Sequence, residues 1–360
     1  MLFKRSLLQE LLQTALAIFI VLFAIVIAQR TTFYIGAAAN GNLAGNAINT
    51  LLGFSMIRFM PMLLSLTLFL TVLMTLSRQY RDSEMVIWLS SGLSLSKWLR
   101  PIMTFAGPVI VLILILSLLV TPWAVSKSEE FKTQLKNQDE LSTITPGIFK
   151  ESKKADRVYF IESFDELGAV VKNIFVQTIQ HQKLGIIVAA KGQREKHSNN
   201  DQFLVMEKGR RYEGKDDSAE FTSTTFEKYA VRIEAPEVET PPMRTEEIPS
   251  AKLLSENSAA NNAELQGRLA LAISTIILVV MAIPLSFVDP RSGRSGNMMI
   301  AIMIFIIYNN FISIMQAWLS QQKIHSLIGL WPVHLFFLVI AIYMFYRRSH
   351  QMPILPRLSK

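Results

Sequence analysis

No cysteine occurs in the 360 residues. Disulfides, thiolate metal sites and cysteine nucleophiles are therefore excluded together, while the compartment stays open. Charge is also scarce, at 18% of residues against 51% hydrophobic. That balance is too apolar for an ordinary soluble chain and points to membrane spans. Histidine is thin as well: His181, His197, His325, His334 and His350 are scattered, none in H-E-x-x-H, and no serine sits in G-x-S-x-G. No catalytic residue and no metal ligand set is expected.

One stretch imitates a nucleotide site. GRRYEGKD, residues 209–216, has the G-x-x-x-x-G-K spacing of a phosphate loop, but Asp216 replaces the Ser or Thr that would hold magnesium. No helical pattern follows it, and DDSAEF continues into another strand-like run. A hairpin turn is the better reading.

Long apolar runs are what the sequence has in excess. About 19 apolar residues cross ~30 Å of hydrocarbon as a helix. Six segments qualify, at roughly 11–35, 53–77, 101–123, 268–288, 297–319 and 329–346. Pro61, Pro108 and Pro284 fall inside three of them, which neighbouring helices or polar side chains can accommodate. Tyr308, Asn309 and Asn310 in the fifth read as hydrogen-bonding groups between helices. MLFKR, the apolar run after it and IGAAAN also fit a signal peptide. Against this, Leu11–Ala28 exceeds the ~7–15 residues of a signal core, and five further spans follow.

Residues 124–267 differ, being polar and broken by turn residues, with strand-like pieces such as RVYFIES, NIFVQTI and AVRIE. Sixteen Lys and Arg lie outside this segment, and twelve of them fall on the side of the N-terminus. The positive-inside rule then puts both termini in the cytoplasm and 124–267 outside. That segment holds twenty basic and twenty-four acidic residues, so the chain's net +8 belongs to its membrane part. Nucleic acid is not implied, because a reader of DNA would cluster its charge on one soluble face. Short strands at this spacing suggest a sandwich or jelly roll, with turns at Gly168, HSNND and EGKDD. Residues 235–265, with four prolines and then an Ala/Asn-rich stretch, read as a linker back to the membrane. The expected organisation is 1–123, 124–267 and 268–360.

Between the second and third spans lies YRDSEMVIWLSSGLS, residues 80–94. Asp82 or Ser83 can cap a short helix there and Gly92 can end it. In such a helix Met85, Trp88 and Leu89 form one apolar patch with Glu84 beside it. A carboxylate would face an anionic surface if the helix merely lay on lipid headgroups. An acid next to apolar groups suits a groove in another protein better.

Six spans, an external β domain between the third and fourth, the SE and SGLS of residues 83–94, and AELQGR…IPLSFVDPRSGR over 263–294 together resemble the LptF/LptG permeases of lipopolysaccharide export. The likeness covers essentially the whole chain, and KRSLLQELL at the N-terminus looks closer to the LptF branch. The fold implied is an α-helical membrane protein with six transmembrane helices and an external all-β jelly roll inserted between helices 3 and 4. The resemblance implies a non-catalytic subunit of an inner-membrane exporter. Its partners would be an LptG-like permease, an LptB-like ATPase dimer that binds the ATP and magnesium, and an LptC-like bridge component. The cargo would be lipopolysaccharide, received by a periplasmic β bridge toward the outer membrane. Glu84, Met85, Trp88 and Leu89 would form the helix coupled to the ATPase, with 289–294 as a minor contact.

Energetics constrain the route of such a cargo. At about 0.8 kcal/mol per methylene, a twelve-carbon acyl chain costs roughly 9 kcal/mol to expose to water. Direct release is excluded, so the lipid must pass from bilayer to apolar cavity to apolar β groove. Phe160, Phe175, Val188 and Phe221 are candidates for the acyl groove in the β domain's interior, although a register slip of one residue would swap the faces. Arg30, and with it Arg268 and Lys323, are candidates for the anionic headgroup, while Arg58 is read as an anchor. In the family a second basic residue can occur where Phe33 stands. Two other classes compete: a permease that transmits force without carrying lipid, which normally needs four spans, and a lipid-modifying enzyme, which needs paired acids or a His cluster.

Overall fold

The computed structural model describes residues 2–40, 43, 45–91, 94–142, 147, 149–151, 157–164, 170–180, 183–196, 202–215, 221–233, 243–256, 258–287 and 295–350. The chain divides into two compact units, one of residues 1–129 with 243–360 and one of residues 130–242.

The first unit is helical. Its elements are α1 (Leu2–Ala39), α2 (Ile48–Arg81), α3 (Glu84–Ser90), α4 (Ser96–Ile115), a π-helical turn (Leu116–Val120) leading into the first part of α5 (Thr121–Ser142, which runs on into the second unit after Glu129), α6 (Ser250–Ser255), α7 (Ala259–Leu285), α8 (Ser295–Ser320) and α9 (Trp331–Ser349). Among the described residues five helical stretches are long and apolar enough to cross a membrane: Arg5–Ala39, Ile48–Arg81, Ser96–Leu135, Ala259–Leu285 and Met298–Ser320. The sixth expected span is the 19-residue α9, whose apolar run is diluted by Pro332 and His334 at one end and Arg347 and Arg348 at the other. Pro61, Pro108 and Pro284 all sit inside helices, as lipid-buried bundles permit.

α2 and α7 form the centre, because their small polar residues let the backbones approach. Thr275 donates to Ser65 across this contact at 2.7 Å, and both side chains are buried. Tyr308 on α8 meets His334 Nδ1 on α9 at 2.8 Å, the interhelical bond its polarity called for. Asn309 and Asn310 instead donate back to Phe305 and Ile306 in their own helix. α1 is attached differently. Leu7, Leu11 and Tyr34 are buried, but no side chain between Leu11 and Tyr34 is.

The second unit is one antiparallel sheet of β1 (Lys150–Glu151), β2 (Arg157–Phe164), β3 (Val170–Gln180), β4 (Lys183–Lys196), β5 (Gln202–Lys215) and β6 (Phe221–Ile233). The strands lie in chain order, the connectivity of a meander, whereas a jelly roll interleaves them by Greek-key crossings. Gly209–Lys215 lies inside β5, paired to β4 and β6, so the phosphate-loop spacing is strand rather than loop. EGKDD, expected as a turn, is strand as far as Lys215, while Gly168, Phe221's side chain, HSNND and the Asp216 and Asp217 of EGKDD lie outside the described residues.

The sheet is creased. Glu162, Asn173, Ala190, Lys208 and Glu227 fall at the gaps in the register of successive strands, and Asn173 and Lys208 there have φ of 49° and 52°. Left-handed residues add twist and turn the alternation of side chains. Phe226 and Tyr229, three apart, consequently pack on the same core of Ile174, Val176, Ile187, Ala189, Leu204 and Met206. Gly209 is needed at the bend, since a Cβ there would stand 2.3 Å from the Phe226 ring and 2.5 Å from the Val188 carbonyl.

Candidate functional site

α2 turns into α3 through Ser83, whose φ of 61° bends the chain within two residues. Ser83's carbonyl accepts the first α3 bond, from the Ile87 N–H at 3.3 Å. Asp82's carboxylate takes Arg78 Nη1 at 3.0 Å. Arg78 Nη1 also donates to Glu84 at 3.3 Å, and Arg78 Nε donates to Glu10 of α1. Gln79 Nε2 completes the group by donating to Glu10 at 3.1 Å. Three helices thus meet at one guanidinium.

The apolar side of α3 is not free for a partner. Met85 is fully buried in the core of the helical unit and Trp88 packs at its edge. This corrects the expected patch at Met85 and Trp88: periodicity found an apolar face, but the chain itself packs against these two side chains. Among the described side chains of α3, the exposed apolar ones are Val86 and Ile87, at 58% and 66%. Glu84 stays about half exposed. The side chain of Leu89, Gly92 and the second loop at 288–294 lie outside the described residues.

The candidate headgroup cations separate clearly. Arg30 stands inside α1 rather than at its end, with its guanidinium carbon 4.1 Å above the Phe59 ring and its buried Nε without a hydrogen-bond partner. Arg268 is only 6% exposed. Its Nε donates to Glu264 at 2.9 Å, Nη1 to Ser250 Oγ at 2.7 Å, and Nη2 to the carbonyls of Thr245 and Glu246 at 3.2 Å each. Ser250 Oγ in turn donates to the Leu118 carbonyl of the π turn at 2.5 Å. Arg268 is therefore an internal latch between α7 and the segment returning to it, which corrects its reading as a lipid contact. Arg58 is likewise held, by Glu246 at 2.6 Å. Lys323 lies exposed in the turn between α8 and α9.

Within the β unit, Phe160 pairs with Phe175 and Phe175 with Val188, and the three line one open groove of about 1430 Å³. Phe149 stacks near both rings, 4.6 Å from Phe160 and 6.0 Å from Phe175. The groove is not the closed interior: Val188 is 45% exposed, while its neighbour Ile187 is buried in the core on the other face. Its walls also carry Glu162, Lys208, Arg210 and Glu227, so it is amphipathic rather than purely apolar.

The tie from Glu10 to Arg78 was missed by sequence reading. Glu10 is the lone acid before Asp82, and a single carboxylate opening an apolar helix requires a cation nearby. Among the described residues no three His, Asp or Glu side chains are placed to hold a metal ion.

The sequence profile of the family described as "Lipopolysaccharide export system permease LptF/LptG" matches residues 5–347. Two similar relatives are the lipopolysaccharide export system permease protein LptF of Escherichia coli (strain K12) and that of Shigella flexneri. Each is 27% identical over 345 residues, covering 95% of this chain and 94% of the relative. Apolar spans, a lone β unit and a match over nearly the whole length converge, and the chain belongs to the LptF/LptG family of lipopolysaccharide export permeases.

Proposed function

We propose that this inner-membrane, multi-pass chain is the LptF-type permease of an ATP-driven exporter that lifts lipopolysaccharide out of the membrane toward a periplasmic β bridge. The single observation that carries this reading is the family match over residues 5–347. It works as a transporter subunit, six-spanning when α9 is counted with the five longer helical stretches, and the ATP and magnesium are bound by an LptB-like dimer. An LptG-like chain closes the cavity, and an LptC-like component continues the β path. The uneven spread of Lys and Arg supports cytoplasmic termini and a periplasmic β unit.

Roles follow from geometry. Glu84, half exposed at the start of α3, with Val86 and Ile87 outward, is the contact to the ATPase. Arg30 is the better headgroup cation, because a buried guanidinium nitrogen without an acceptor favours an anion brought by cargo. Phe160, Phe175 and Val188 guide acyl chains along the β groove. Glu84→Arg tests the coupling directly: membrane insertion should persist while ATPase copurification and transport are lost, and a parent-like complex would refute it.

A further inference from the structure

Three carboxylates on three elements share the single guanidinium of Arg78: Glu10 on α1, Asp82 in the turn and Glu84 on α3. The shares are unequal. Glu10 binds closest, Asp82 lies at 3.0 Å and Glu84 at 3.3 Å, the last two on the same nitrogen. Glu84 is also about twice as exposed as Glu10, at 43% against 20%. Asp82 is as exposed but lies closer to Arg78 and on the neighbouring turn of the chain, so Glu84 is the carboxylate most easily drawn away by another cation.

We propose that Arg78 is the internal partner an ATPase must displace to take Glu84, and that Glu10 sets how firmly Arg78 holds on. The inference rests on the coupling reading of α3. Removing one of several acceptors from a guanidinium strengthens its bonds to those that remain. Glu84's departure therefore tightens Arg78 on Glu10, which lies beside the buried anchor Leu11 of α1. Coupling is reciprocal, so if the Arg78–Glu10 tie favours ATPase binding by some factor, ATPase binding favours that tie by the same factor. Beyond Leu7 and Leu11, α1 has no buried side chain until Tyr34, so the ATPase-bound state clamps the cytoplasmic end of α1 and ATPase withdrawal loosens it. Arg78 acts on binding only through Glu84, as a positioning residue.

The test uses the whole permease complex in nanodiscs, stripped of its ATPase and titrated with that ATPase carrying a fluorescent label. Glu10→Gln leaves Arg78 freer to hold Glu84 and should weaken ATPase binding about threefold, the scale of one partly exposed ion pair. Arg78→Gln removes the competitor and should strengthen binding by a similar factor. In the Arg78→Gln background, Glu10→Gln should have no effect. A merely structural role for Glu10 would lower affinity in both backgrounds and overturns the proposal, as does weaker binding on Arg78→Gln alone. Should Arg78→Gln fail to assemble, Arg78→Lys serves: Lys makes one shared contact rather than a fork, so the Glu10→Gln effect should shrink, and an undiminished effect refutes the relay. Glu84→Arg separates the two levels. If it leaves binding intact, the coupling reading itself is wrong; if it weakens binding while Glu10 acts independently of Arg78, only the relay is wrong.

Discussion

Arg268→Met should unfasten the segment that leads from the β unit back to the membrane helices. The side chain is buried, and among the described residues its replacement leaves the Glu264 carboxylate, 14% exposed, with Gln316 Nε2 at 3.3 Å as its remaining donor. Ser250 and the carbonyls of Thr245 and Glu246 lose their donor at the same time. Breaking a buried pair from one side costs about 3–5 kcal/mol, because a charge stays buried without its partner. Local opening of residues 243–256 should become easier by that amount, which corresponds to amide exchange faster by about a hundredfold or more. Hydrogen exchange read at Glu247, Lys252 and Leu253, whose N–H groups bond to Arg244 and Pro249, is the direct assay. Adding Glu264→Gln should recover much of the loss, since removing both charges is far cheaper than removing one. Arg268→Lys keeps the charge but reaches fewer acceptors and should fall between. Exchange in Arg268→Met within about twofold of the parent would refute the latch, whereas loss of lipid stimulation with unchanged exchange would restore Arg268 as a headgroup contact.

Three further outcomes can be measured. Gly209→Val places a branched side chain against Phe226 and the Val188 carbonyl and should destabilise the β unit by about 1–3 kcal/mol, seen as a lower Tm for its transition; an unchanged Tm would refute the crease packing. Lys208→Gly removes a side chain from a φ of 52° and should raise that Tm, by roughly 1 kcal/mol of relieved strain, whereas a lower Tm would mean that Lys208 holds the bend by its side chain. Photo-crosslinkers at Phe160, Phe175 and Val188 should capture lipopolysaccharide only during ATP hydrolysis, and the same probe at the buried Ile187 should not; the reverse pattern would put the lipid in the interior of the sheet.

Spans were legible because lipid leaves a chain few choices: backbone groups must be satisfied within the helix, so length and apolarity nearly suffice. The strands of the second unit were legible as strands for a different reason, the β-branched and aromatic clustering of β2 to β6. Their order was not. Alternation carries no information on which strand pairs with which, and a meander and a Greek key have the same local pattern. The latch at Arg268 was illegible too, since its partners Thr245, Glu246 and Ser250 come from a stretch that looked like mere linker.

The misread face of α3 and the well-read groove face of β4 show the same limit of periodicity. In α3 the spacing of Met85 and Trp88 defines an apolar face, and in β4 the alternation of Ile187 and Val188 defines two faces, but neither pattern says what covers them. For α3 the chain's own core covers Met85, leaving Val86, Ile87 and Glu84 outward. For β4 a crease decides: once Asn173 and Lys208 take left-handed backbone, residues beyond them turn over, and Leu204 and Met206 join Ile187 and Ala189 inside. Val188 then stays with Phe160 and Phe175 on the open groove. Periodicity identifies a surface, whereas the neighbour that buries it is a long-range fact. Surfaces left amphipathic after the chain has packed, such as α3's outward face and the charged-walled β groove, are therefore the places where the proposed ATPase and cargo contacts are to be tested.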